Sequence, residues 1–168
     1  LLPMGPLRES VDRLKTVDAI VVTGEVTDRT QAVCQGRNAF QMQFGLPTVY
    51  SLKDPSVIYS FADWLQQYGQ EPISAFAGIG HPERFFRDLT RYGLTCFERY
   101  AFPDHHAYTD AEIQVIPGAA VLMTEKDAVK CCDFQDERLW VVAVQVALPP
   151  DFWIFLLERL GRYIECVH

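Results

Sequence analysis

No glycine in this 168-residue chain is followed by lysine. The chain therefore has no G-x-x-x-x-G-K-[ST] loop and no Walker-type cradle of its own for a nucleotide's phosphates. Apolar runs are short, and none reaches the roughly 20 residues needed to span a bilayer. No secretory signal pattern opens the sequence. The five cysteines (Cys34, Cys96, Cys131, Cys132 and Cys166) are odd in number and form no C-x-x-C pair. That pattern suggests neither a disulfide framework nor a thiolate zinc site, and it points to a reducing compartment. Basic residues are outnumbered, 15 Lys+Arg against 22 Asp+Glu, for a net charge of -7. A general nucleic-acid binder would need a basic face to displace counterions, so that class is disfavoured, although a local phosphate site is not. Internal repeats and low-complexity segments are absent. So is an initiator methionine: the chain opens Leu1-Leu2-Pro3 and is expected to start within a longer protein.

What remains is an ordinary globular composition, 49% hydrophobic and 22% charged, long enough for one domain with a real core or one domain plus part of another. Gly5-Pro6 marks a turn, after which Arg8 and Glu9 open a short helical pattern with Val11, Leu14 and Val17 inward. Asp18 to Gly24 reads as a strand buried on both faces. Thr27 to Arg37 reads as a loop or short helix. Phe40–Phe44 and Thr48–Leu52 alternate apolar and polar residues around Gly45-Leu46-Pro47, the pattern of a two-stranded hairpin that could serve as a linker. A short helix over 60–67 is followed by a buried strand over 72–80. That strand runs into a helix with Pro82 in its first turn and Gly93 beyond its end. With the strand predicted over 94–100, this makes a βαβ unit. Thr109 is a helix N-cap with acids in the first turn. Ala119–Met123 is another buried strand, with Thr124 and Asp127 forming an approximate capping box after it. A last strand spans 139–146, and Pro149-Pro150-Asp151 begins a terminal helix to about 165. Its apolar arc is wider than one surface face requires: either the helix packs into this domain, or part of it covers a further one.

Three polar motifs stand out: Arg8-Glu9, Asp104-His105-His106, and Glu125-Lys126-Asp127 with Lys130. The second holds half of the four histidines. The second and third follow predicted strands, where ligands collect in α/β sheets. A histidine there can move a proton near neutral pH or orient a carboxylate base. Alternatively, Asp104, His105 and His106 could ligate a divalent metal, as in phosphoesterases with an Asp-His-His signature. Against that second chemistry, the chain has no Asp-x-Asp cluster. Gly78-Ile79-Gly80 lacks the third glycine of a dinucleotide fingerprint and reads better as a tight turn.

In order, the stretches Leu1-Leu2-Pro3-Met4-Gly5-Pro6-Leu7-Arg8-Glu9, Val17–Val22, Ala77-Gly78-Ile79-Gly80-His81-Pro82-Glu83-Arg84-Phe85-Phe86, Phe102–Thr109 and Met123–Cys131 resemble one family, the tetraacyldisaccharide 4'-kinases (lipid A 4'-kinases) of Gram-negative bacteria. Ser10 stands where that family commonly has proline. The resemblance implies an α/β fold: an α/β/α sandwich with a mostly parallel sheet, joined by a two-stranded linker, for which 40–52 is the candidate, to a P-loop domain. It implies that residues 1–16 form the junction from that domain, 17–148 the carboxyl-terminal α/β domain and 149–168 a terminal helix. The implied reaction moves the γ-phosphoryl group of ATP, with Mg2+, to the 4'-hydroxyl of an acylated glucosamine disaccharide 1-phosphate, giving lipid IVA at the cytoplasmic face of the inner membrane. Nucleic acid is not an implied partner. His105 would pair with a base carboxylate outside this chain and Asp104 would support its loop. Arg8 and Glu9 would line the nucleotide and metal side. His106, Glu125, Lys126 and Asp127 remain candidates without a role, and the 168 residues alone are expected to be inactive.

Overall fold

The computed structural model describes residues 9–24 and 26–165, in two compact units. One comprises residues up to Phe44 together with those from Val146 onward; the other is Gly45–Gln145. Among the described residues no helix is long and apolar enough to cross a membrane.

The larger unit is built on a six-stranded sheet. Its strands are β3 (Gln43–Ser51), β4 (Ile58–Ser60), β5 (Ile73–Ala77), β6 (Glu98–Ala101), β7 (Ala120–Thr124) and β8 (Leu139–Ala147), in the order β4-β3-β8-β7-β5-β6. The run β8-β7-β5-β6 is parallel, whereas β4 is antiparallel to β3. Parallel strands covered on both faces read as continuous apolar runs, and β5 is buried at every position.

Alternate side chains serve opposite faces. Ile73, Ala75, Ala77, Ala120, Leu122, Trp140 and Val142 pack against Phe61 and Trp64 of α2 (Phe61–Tyr68) and Phe86 and Leu89 of α3 (Pro82–Arg91). Phe76, Val121, Met123, Leu139 and Val141 pack against Ile113 of α4 (Asp110–Gln114) and Ala128 of α5 (Glu125–Ala128). The three layers are those of an α/β/α sandwich. Helix starts are set locally: Ser60, Thr109 and Thr124 each accept a backbone N–H through their hydroxyl, and Pro82 stands at the first position of α3. Gly93, at φ 106, takes the left-handed conformation that ends α3.

From β5 the chain crosses through α3 to β6; from the adjacent β7 it crosses through α5 in the other direction to β8. The two connections lie on opposite faces. This reversal of strand order opens a crevice beyond the carboxyl ends of β5 and β7.

In the smaller unit, β1 (Ile20–Val22) and β2 (Ala39–Gln41) pair in parallel, joined by α1 (Asp28–Cys34). α6 (Pro150–Glu165) packs Phe152 and Phe155 on Phe40, with ring centroids 5.3 and 5.6 Å apart. Its Trp153, Ile154, Leu157 and Leu160 are exposed, Leu157 to 67%.

Several sequence expectations change. The strand over 18–24 is not buried on both faces: among the described residues β1 has a single partner strand, and Val21 is exposed. Val11–Lys15 is a 3-10 turn with no buried residue, so its apolar positions do not face inward. The expected hairpin over 40–52 does not form. β2 pairs with β1 instead, and β3 runs unbroken through Gly45-Leu46-Pro47. There Gly45 lets the backbone approach Gln145 closely, and Pro47 lies beyond the residues paired with β4, where a missing N–H breaks no bond to that strand. The strand expected from Leu94 begins at Glu98, because the Leu94 N–H is used by the Leu89 carbonyl in ending α3.

The α3 face is the layer on which β5 depends. Phe86, 1% exposed, fills it against the sheet. Phe86→Ala should therefore lower unfolding stability by about 3–5 kcal/mol, read from urea midpoints, since it leaves a cavity the sheet cannot close.

Candidate active site

Two turns meet at the crevice: Gly78-Ile79-Gly80 after β5 and the start of α5 after β7. Between them lies the Asp127 carboxylate, 0% exposed. It accepts hydrogen bonds from the Gly78 N–H at 3.2 and 3.3 Å, the Tyr108 hydroxyl at 2.9 Å, the Thr124 hydroxyl at 2.7 Å and the Lys130 ammonium at 3.1 Å. Every partner is a donor, so the carboxylate acts solely as an acceptor. Lys130 also donates to the Gly78 carbonyl at 3.1 Å and lies 5.3 Å from the centre of the Tyr108 ring. One buried charge thus joins the end of β5, the start of α5 and the loop 102–109. Burial, then the Asp127 charge and the hydrogen bond to it, push the Tyr108 phenol far above its ordinary range, which keeps it a donor. The same burial and charge push the Cys131 thiol up to about 12, leaving it inert.

The glycine after β5 is needed for close approach. A Cβ at Gly78 would collide with the Tyr108 hydroxyl and sit 3.3 Å from the Pro103 carbonyl. The turn reading of Gly78-Ile79-Gly80 therefore holds.

The loop is fixed at both ends and bare at its tip. The Phe102 N–H donates to the Ala77 carbonyl at 2.9 Å, and the His106 N–H to the Pro103 carbonyl at 3.1 Å, closing a tight turn. Phe102, Phe76 and Tyr108 form an aromatic base, with centroids 5.0 to 6.1 Å apart. Thr109 and Glu112 complete a reciprocal capping box, and the Thr109 hydroxyl and N–H hold the Glu112 carboxyl below its ordinary range. His105 crowns the turn at φ 60 with its side chain 92% exposed. Its N–H donates to Asp104 Oδ1 at 3.1 Å, and its Nε2 lies 3.7 Å from Asp104 Oδ2. His106 turns back to stack on Phe102 at 4.9 Å; its Nε2 is 3.3 Å from Glu112 Oε1 without hydrogen-bond alignment.

The predicted residues therefore divide. Asp104 and His105 stand together at the tip, and His106 is part of the packing below them. Asp127 is the hub under the loop, whereas Glu125 and Lys126 are exposed along a groove of about 310 Å³ floored by Ile79, Phe85 and Val142. Glu9 belongs to the smaller unit, exposed and paired with Arg13 at 3.1 Å; Arg8 lies outside the described residues. Among the described residues no three His, Cys, Asp or Glu side chains are grouped to hold a metal ion. The Asp-His-His tripeptide does not converge, so its metal-site reading lacks a geometric basis.

Tyr108, Lys130 and Thr124 as partners of one carboxylate were not visible as a site in the sequence. The available signal was a tyrosine directly before a capping threonine, and a lysine three residues after a buried aspartate.

An α/β sandwich whose candidate residues stand at the switch point of a mostly parallel sheet defines a class of proteins that meet their ligands beyond the strand ends. Within it, this chain belongs to the tetraacyldisaccharide-1-P 4'-kinase family, whose profile matches residues 1–161. Among curated relatives, the tetraacyldisaccharide 4'-kinase of Polynucleobacter asymbioticus is 38% identical over 96% of this chain and 46% of its own length. That of Halorhodospira halophila is 43% identical over 87% of this chain and 40% of its own. A crystal structure of "apo" form LpxK from Aquifex aeolicus in complex with ATP matches with a TM-score of 0.67 and 25% identity, over 95% of this chain and 47% of that one. The chain spans about half the length of the curated relatives it matches.

Left-handed backbone at a residue other than glycine costs about 1–2 kcal/mol. His105→Gly should relieve that strain and raise stability by about 1 kcal/mol in urea unfolding. An unchanged or lower midpoint would show that His105 contributes contacts that offset its backbone conformation.

Proposed function

We propose that this chain forms one wall of the active site of a lipid A 4'-kinase, which transfers the ATP γ-phosphoryl group to the 4'-hydroxyl of a tetraacylated glucosamine disaccharide 1-phosphate to give lipid IVA. The observation that carries this reading is the presentation of His105 at the sheet's switch point, in a chain that matches the family along nearly its whole length. Phosphoryl transfer depends on positioning and charge neutralisation more than on covalent chemistry. An exposed imidazole on a rigid base suits the first requirement: it can hold and tune a carboxylate that takes the hydroxyl proton. Asp104, bonded to the His105 N–H, sets the turn that presents the ring.

On this reading phosphate and metal binding fall mainly to parts of the protein outside this chain. The chain has no Walker-type loop, and the described residues offer no metal-holding cluster. On this reading Arg8 and Glu9 reach the nucleotide side, the exposed apolar face of α6 packs against a P-loop-bearing part, and the assembled enzyme works at the inner-membrane surface.

The complete open reading frame, assayed for transfer of labelled phosphate from ATP to the acylated disaccharide, should be active, and the 168 residues alone inactive. His105→Ala should reduce kcat by about 10²-fold, the lower range for a group that assists proton transfer. An undiminished rate in that variant would remove His105 from the mechanism.

A further inference from the structure

The buried cluster beneath the loop has no part in the chemistry just proposed, yet its fully buried carboxylate is met by four separate donor groups. Asp127 is three residues past the end of β7, is fully buried and makes no hydrogen bond to His105. Its four donors come from three separate segments: Gly78 after β5, Tyr108 on the loop, and Thr124 and Lys130 flanking Asp127 itself. Only Tyr108 belongs to the loop, and it enters it from below, three residues after His105. Its ring is packed on Phe76 at 5.0 Å, Phe102 at 5.1 Å and His106 at 5.0 Å. Gly78 has no side chain because the Tyr108 hydroxyl occupies that space. Besides the backbone bond from Phe102 to Ala77, which holds the start of the loop, the loop is therefore seated by one directed side-chain hydrogen bond, that of Tyr108, inside an aromatic socket. The socket supplies area and the bond supplies direction. Without the bond, the aromatic rings can slide with little penalty, because stacking tolerates displacement. A hydrogen bond between 2.7 and 3.0 Å does not.

We propose that Asp127, acting through Tyr108, is a positioning residue that fixes where the turn 103–106 presents His105. The proposal rests on the reading of His105 as an active-site group. Its effect falls on the orientation of the ring, and so on kcat, rather than on ground-state binding of ATP or lipid. Lys130 balances the carboxylate at the same Oδ1 that Tyr108 bonds and also donates to the Gly78 carbonyl, so the clamp holds the strand end as well as the loop.

Asp127→Ala would leave the half-buried Lys130 beside unpaired donors and is expected to impair folding. Tyr108→Phe is the informative variant, since it removes one oxygen and keeps the ring. Ser74→Ala is its control: it deletes a hydrogen bond of 2.6 Å to the Pro117 carbonyl at the opposite end of the same strand. In the protein expressed from the complete reading frame, Tyr108→Phe should lower kcat about tenfold with KM for ATP and lipid changed less than twofold. Ser74→Ala should keep kcat within twofold. In both proteins amide exchange is followed: the His106 N–H should exchange at least tenfold faster in Tyr108→Phe and be unchanged in Ser74→Ala. If Tyr108→Phe keeps full kcat while His105→Ala is impaired, the positioning role is wrong and the kinase reading stands. If Ser74→Ala loses as much kcat as Tyr108→Phe, the effect is one of general stability and the proposal fails. If His105→Ala is fully active, both readings fall together.

Discussion

The interaction on which the larger unit depends is the burial of one carboxylate. An isolated ion in a protein interior is penalised by several kcal/mol even after relaxation, and the penalty is offset only when donors surround it. Asp127 has four such donors drawn from separate segments. Each therefore becomes a condition on the fold. The β5 end must bring its N–H inward, Gly78 must lack a side chain, and Tyr108 must enter from the loop. Thr124 must cap α5 with the same hydroxyl that donates to the carboxylate. Hydrophobic burial positions the strands as a layer, but it is indifferent to small sliding. The carboxylate fixes the register of their ends.

That arrangement separates stability from exposure within eight residues. Phe102 and Tyr108 are packed and bonded, and between them Asp104 and His105 are held out with few contacts. The left-handed backbone of His105 persists because both sides of the turn are anchored. A loop anchored only by its own hydrogen bonds would relax such a residue. The strain is thus evidence of the stiffness beneath it, and it makes the imidazole's placement a property of the sheet rather than of the loop.

Much of the layer structure was legible in the sequence because it is encoded locally. The β5 run, Pro82 at the start of α3, Gly93 beyond it, Thr109 with Glu112, and Pro150 at the start of α6 are each read within a few residues. The errors fall where a distant partner decides. Ile20–Val22 has the composition of an interior strand, but its only sheet partner among the described residues is β2. Gly45-Leu46-Pro47 has the composition of a turn, but β8 alongside holds it extended. The site shows the same division. Asp104 and His105 announce themselves as clustered titratable groups, whereas the bonds from Asp127 to Tyr108 and Gly78 span 19 and 49 residues and leave no periodic trace. The Asp-His-His tripeptide misled in a related way. Adjacent residues in a turn project in different directions, so proximity in sequence is no guide to a shared ligand.

The smaller unit differs in kind. Its two-stranded sheet is too small to bury both faces, and α6 turns Trp153, Ile154, Leu157 and Leu160 outward. An isolated pair of strands is marginal in water and depends on the helix packed against it, and an apolar helix face of this width ordinarily lies against protein. The centre of the larger unit has no comparable deficit: β5 and β7 are covered on both faces, and the loop tip at Asp104 and His105 is polar. The contrast bears on the proposed division of labour. A wall that presents a single imidazole to a reacting group must be stiff on its own, because it has to hold its geometry before the other groups arrive. The part that completes a binding domain has no such requirement, since its packing can be supplied by what it joins. The sequence places its most heavily bonded buried charge in the first of these units and its most exposed apolar helix in the second.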